Sequence, residues 1–141
     1  MRVRDLPDSR ARQTVSPDDL RETIFGANYQ RRGEGVVWTR AKEQARRLLQ
    51  AGEAVLIDAT NVSRAARSPW VRMARNSGVN AYAIACWEPG QTPVEELLRR
   101  NAERARTVPE EKLREIAAAW VSPSITEGFQ AVWPVVGMAG R

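Results

Sequence analysis

Short apolar runs alternate along this chain with stretches whose apolar positions recur at helical spacing. "RQTV" (12–15), "AVLID" (54–58), "AYAIACW" (81–87) and "FQAVWPV" (129–135) are strand-sized, the last with Pro134 suited to an edge or an end. After the first run, Ser16 caps a helix with Pro17 at its first position and Asp18 and Asp19 in its first turn. From Glu34 to Gln50, Val37, Trp38, Ala41, Ala45, Leu48 and Leu49 keep a helical period, and Gly52 ends the helix. Ser63 to Ser77 predicts another helix, with Val71 and Ala74 inward, Pro69 as a point of bending and Gly78 closing it. Helices are expected at 93–104 and 110–119. Strands separated by helices, three of the strands continuous apolar runs, predict an α/β fold with a parallel sheet sandwiched by helices. No repeat, low-complexity segment or linker interrupts the pattern, so 1–141 reads as one domain.

Composition narrows the chemistry. No apolar run approaches the ~18 residues of a membrane span, and no signal peptide is visible, which predicts a cytoplasmic protein with no membrane partner. The single cysteine, Cys86, has no internal disulfide partner and sits in an apolar run, where it reads as a small core residue. Histidine is absent, which removes the commonest general base and metal ligand, so no metal site is expected from these residues. Catalysis must then rest on carboxylates and arginines. The net charge is +5, and of the 22 basic residues only Lys42 and Lys112 are lysines. Arginine is the better bidentate reader of phosphate, but a GC-rich genome writes the same bias. The charge permits a nucleic-acid partner without demonstrating one.

The polar residues that follow the strands carry the functional signal. In "VLIDATNVSRAAR" (55–67), Asn61 suits a turn and Ser63 a helix cap. Asp58 and Thr60 have no such local duty, and they stand at the carboxyl end of a strand, where open α/β sheets hold ligands. "VSPDDLR" follows the first strand in the same way, so Asp18, Asp19, Arg21, Asp58 and Thr60 are expected on one rim. Arg100, Arg104 and Arg106 come one helix after the third strand and are expected to form a lid. Carboxylates beside arginines suit phosphoryl transfer: the carboxylate accepts a hydroxyl proton and guanidinium groups stabilise phosphoryl charge. Taken alone, each piece has a plainer reading. Asp18 and Asp19 are ordinary first-turn acids, and "RRNAERAR" can be a solvated helix face.

"SPDDLRETIFG", "VLIDATNVSRAAR", "RRNAERARTVP" and "EGFQAVWPV" resemble, in order and spacing, the P-loop kinase family of polynucleotide 5′-kinases and the related zeta-toxin-like AAA-type ATPases. The resemblance runs over roughly residues 12 to 136. It implies that Asp18 is the general base toward a 5′-hydroxyl and that Arg21 contacts the acceptor phosphate. It places Asp58, Thr60 and Asn61 in the acceptor pocket, with Val108 and Pro109 lining it. Arg104 is the implied lid arginine, catalytic and nucleotide-binding, with Arg106 beside it. The implied partners are single-stranded nucleic-acid ends or a nucleotide.

One departure matters more than these matches. The family opens with a strand and G-x-x-x-x-G-K-[ST], whose amides, lysine and hydroxyl hold the donor phosphates and Mg²⁺. No such motif occurs in these 141 residues. "MRVRDLPDSRARQT" resembles the tail of the helix that should follow it, so the nucleotide-kinase-like fold is expected to lack its first βα unit. ATP and Mg²⁺ are then implied only where a P-loop is supplied, and the chain by itself is expected to be inactive. The absent strand would lie between those at 54–58 and 81–87, which must face a vacant slot or close up directly. Three explanations fit: a start codon placed too far downstream, a second chain that completes the sheet, or a degenerate kinase rebuilt to bind nucleic-acid ends or a protein.

Overall fold

Ser16 ends the first strand and begins the first helix with one side chain. Its hydroxyl accepts the Asp19 N–H at 3.2 Å, satisfying an amide that the first turn leaves open. This computed structural model describes residues 13–134, and the resembled helix tail before "QT" lies outside them. The described elements are β1 (Gln13–Val15), α1 (Pro17–Phe25), α2 (Glu34–Gln50), β2 (Val55–Ile57) and α3 (Arg64–Asn76), then β3 (Tyr82–Ala85), α4 (Val94–Ala102), α5 (Glu110–Ala119) and β4 (Ala131–Pro134). Short 3₁₀ turns occupy Gly26–Asn28, Arg31–Gly33 and Ile125–Glu127.

The two long helices end alike. Gly52 and Gly78 take φ of 78° and 68°, the left-handed region a side chain resists. At the first, the Gly52 and Glu53 amides reach back to Leu49 and Leu48; at the second, the Gly78 and Val79 amides reach Arg75 and Ala74. Both are Schellman closures, so the glycines stop the helices where the sequence predicted.

The chain divides into two compact units at Thr60 and Asn61. In the first, β1 and β2 pair in parallel, with Gln13 opposite Val55 and Val15 opposite Ile57. Helix α2 packs on both strands and on α1. Val37, Ala41 and Ala45, four residues apart, bury one stripe of α2, and Val15 is the fully buried strand residue. Each buried valine contributes about 1.5–3 kcal/mol. In the second unit β3 and β4 pair in parallel, with Tyr82 opposite Ala131 and Ala85 opposite Pro134. Its core holds Val71, Ala74, Ala83, Ala85 and Trp87. Trp87 meets Trp120 edge-on at 5.9 Å, and Tyr82 stacks on Trp133 at 4.8 Å.

The α/β class and the parallel strands match the expectation, and the sheet is smaller. Among the described residues its strands form two pairs, β1 with β2 and β3 with β4. β2 is half-buried along its length, not the fully buried strand its apolar run predicts. Cys86 is exposed, a second correction. It stands one residue past β3, where the period-2 alternation that buries Ala83, Ala85 and Trp87 turns it outward. The helix expected over 93–104 stops at Ala102.

Candidate functional site

Parallel pairing brings the carboxyl ends of β1 and β2 to one edge. The Asp58 amide continues the ladder to the Val15 carbonyl at 3.0 Å. From this edge one strand runs into Ser16, Pro17 and Asp18, and the other into Asp58, Ala59 and Thr60. Asp58 and Thr60 are exposed. Among the described residues no hydrogen bond or ion pair joins them to Asp18 or Arg21, so they share the edge without touching.

Asp18 and Arg21 do meet, one helical turn apart on α1. Arg21 Nη1 donates to Asp18 Oδ1 at 2.6 Å, while Asp18 stays 80% exposed. The rest of the arrangement was not legible in the motif. Arg21 Nε donates to Glu34 Oε2 at 2.9 Å, and its Nη2 donates to Glu34 Oε1. Glu34 also accepts from the Tyr29 hydroxyl at 2.5 Å and from Trp38 Nε1 at 2.9 Å. These donors, the Arg21 guanidinium foremost, hold the Glu34 carboxyl down to about 2. The same pairing raises Arg21, and the bond to Glu34 raises the Tyr29 hydroxyl.

Three of the five guanidinium N–H groups are thus engaged with Glu34 and Asp18. With two carboxylates on one arginine the cluster carries a net negative charge. Arg21 is therefore a positioned group that orients Asp18, more than a strong anion trap.

The second unit holds the remaining predicted residues. Asn101 turns back from the end of α4 onto Val108: its Nδ2 donates to the Val108 carbonyl at 2.7 Å, and its Oδ1 accepts the Val108 amide at 2.9 Å. This two-bond clamp ends α4 and shapes the loop that carries Arg104 and Arg106, both exposed. Val108 and Pro109 lead directly into α5. Arg100 behaves differently from a lid residue. It pairs with Glu96 at 2.8 Å, as Arg99 does, so that part of "RRNAERAR" is a solvated, self-neutralised helix face.

Asn61 takes φ of 44°, the turn conformation its residue type favours, and its Oδ1 is buried without a partner. Its carbonyl accepts from Arg67 Nη1 at 2.9 Å. The same nitrogen donates to Val121 O at 2.9 Å, and the other two nitrogens hold both oxygens of Glu127 at 2.8 Å. Both side chains are about 5% exposed. A buried arginine bridging 61, 121 and 127 was not foreseen from "NVSRAAR", because partners 54 and 60 residues away leave no mark in local spacing.

The family model for the AAA domain matches residues 2–123. The chain belongs to this AAA-domain family, of P-loop NTPase-like kinase type. No curated protein matches the chain. Family membership carries a nucleotide-binding, kinase-like function at that general level.

The 141 residues contain two lysines and no G-x-x-x-x-G-K-[ST] motif. Lys42 lies inside α2 and Lys112 in α5, the latter 3.0 Å from Glu115. Neither follows a glycine or precedes a Ser or Thr. No group of three acidic, Cys or His side chains gathers for a metal among the described residues. None of their helices is long and apolar enough to cross a membrane.

Proposed function

We propose that this chain carries the acceptor half of a kinase that phosphorylates a nucleic-acid or nucleotide hydroxyl, and that residues 1–141 alone transfer no phosphate. The reading rests on one observation: the register of β1 and β2 sets "SPDDLR" and "DAT" at the same strand edge. Asp18 is the base, with Oδ1 oriented by Arg21 and its exposed carboxylate open to an incoming hydroxyl. A carboxylate serves here because the proton need only be accepted late in a loose transition state. In this reading Arg21 contacts the acceptor phosphate. The family resemblance assigns Asp58, Thr60, Asn61, Val108 and Pro109 to the acceptor and Arg104 and Arg106 to the phosphoryl group. Among the described residues β2 pairs only with β1 and β3 only with β4, and a second chain supplying a strand is the partner this reading expects.

The missing G-x-x-x-x-G-K-[ST] favours a second reading, in which a degenerate kinase holds nucleic-acid ends or a protein without catalysis. Two measurements separate them. A 5′-hydroxyl nucleotide bearing a 3′-phosphate is titrated into the chain, with Arg21→Ala and Arg104→Ala as variants. Weakening by both supports an acceptor site; binding indifferent to both removes it. Transfer of labelled γ-phosphate by the purified chain would overturn the claim that it is inactive alone. If a chain completed with a phosphate-binding loop bound the acceptor and still did not turn over, the second reading would hold.

A further inference from the structure

We infer that the second unit holds a small oxyanion site at the amino ends of β3 and β4, for a carboxylate or phosphate head on a short apolar stem. The site shares no residue with the proposed acceptor edge, and neither depends on the other.

β3 and β4 run in parallel, with Tyr82 opposite Ala131. Ala81 and Gln130 immediately precede these two residues, and the Gln130 amide donates to the Ala81 carbonyl at 2.8 Å. Helix α3 ends at Asn76, so its last turns reach the same end of the strand pair. A cavity of about 180 Å³ lies there, lined within this unit alone by residues of 71–81 and 128–130. Open α/β sheets hold their ligands at the carboxyl ends of the strands. This cavity is at the other end.

Its polar residues are Arg75, Asn80 and Gln130, and no acidic residue lines it. Among the described residues the side chains of these three make no hydrogen bond or ion pair. A guanidinium carries five N–H donors and each carboxamide two, so the wall is rich in unused donors. The acid nearest in sequence, Glu127, has both oxygens taken by Arg67. One cation without a counter-charge favours an anion, and guanidinium binds planar or tetrahedral oxyanions through paired N–H groups. Val71, Ala74 and Val79 make the wall apolar beside it.

Gly128 gives the guanidinium its place. Its φ of 108° lies in the region that favours glycine. A Cβ there would stand 2.8 Å from Val71 Cγ1 and 3.3 Å from Arg75 Nη2. Size then limits the ligand. Pockets for drug-sized molecules begin at about 300 Å³, so a whole nucleotide is too large here. A bare ion would leave the apolar wall uncovered, whereas a head with a few carbons covers both parts.

The test titrates the whole chain with butyrate and with butyl phosphate at constant ionic strength, following backbone amides by NMR. Saturable shifts are expected at Val79, Ala81, Gly128 and Gln130, with acetate weaker and butylamine silent. Arg75→Gln should weaken binding about 10-fold or more, and Gln130→Ala about 2- to 10-fold. Arg72→Gln removes the same charge from the same helix outside the cavity and should change nothing. The amide spectra report whether each variant folds, and either cavity variant suffices. The probe that binds tighter identifies the head as carboxylate or phosphate. No saturable shift with either probe would overturn the inference. So would equal weakening by Arg72→Gln and Arg75→Gln, or acetate or butylamine binding as tightly as butyrate.

Discussion

Arg21 grips Glu34, thirteen residues further on, with two nitrogens while a third holds Asp18. The ion pair joins the middle of α1 to the start of α2. One turn of α1 separates Arg21 from Asp18, so whatever fixes Arg21 also fixes the proposed base. Glu34 is thus a positioning residue for the site, although no motif contains it.

Replacing Glu34 by Gln should change how stability responds to acid. The Glu34 carboxyl is lowered from an ordinary 4.5 to about 2 in the folded chain, chiefly by Arg21. Its stabilising contribution is therefore fully present above about pH 4.5 and disappears as pH falls toward 2. Urea melts at pH 6, 4 and 2.5 should show a shallower loss for Glu34→Gln. The loss should not vanish, because Glu127 is lowered too. At pH 7 the substitution should cost no more than about 1 kcal/mol, since the pair is partly solvated. An unchanged acid profile would mean that the ion pair does not persist in solution.

Breaking the buried pair in the second unit should be far more damaging. Arg67→Met strands the Glu127 carboxylate and the carbonyls of Asn61 and Val121. The expected loss is about 3–5 kcal/mol in chemical denaturation. The double change Arg67→Met with Glu127→Met should recover part of it, because no charge is then left buried. A double mutant less stable than the single would contradict this account.

Asn101→Ala removes both bonds that clamp Val108. We expect a loss of about 1–2 kcal/mol and faster amide exchange at Val108. Asn101→Asp keeps the acceptor for the Val108 amide and loses the donor to its carbonyl, so its exchange rate should fall between the two. Equal exchange in all three proteins would show that the loop is shaped by something else.

The proposed base has its own control. In a chain completed with a phosphate-binding loop, Asp18→Asn should lower turnover by about 10²–10⁴-fold. Asp19→Asn should leave turnover near the wild-type rate, because it shares the first turn of α1 without the bond to Arg21. A crippling Asp19 change would place the base one residue along. Indifference to both would reduce "SPDDLR" to a capped helix.

The sequence by itself determined the local elements. Caps, glycine closures and apolar period depend on neighbours within about four residues, and they marked Ser16, Gly52, Ser63 and Gly78 as helix limits and Val71 and Ala74 as inward positions. The sequence placed Asp18 and Arg21 on one helix, and the structure adds the ion pair between them. Tertiary structure alone decided the rest. The split into two strand pairs depends on hydrogen bonds between segments more than forty residues apart, and apolar runs predict strands without naming their partners. Glu34, Arg67 and Glu127 look like ordinary charged positions until folding brings them to the groups they bind. Cys86 shows the same limit: its apolar neighbours suggested the core, and the pleat, which turns alternate side chains to opposite faces, set it outside.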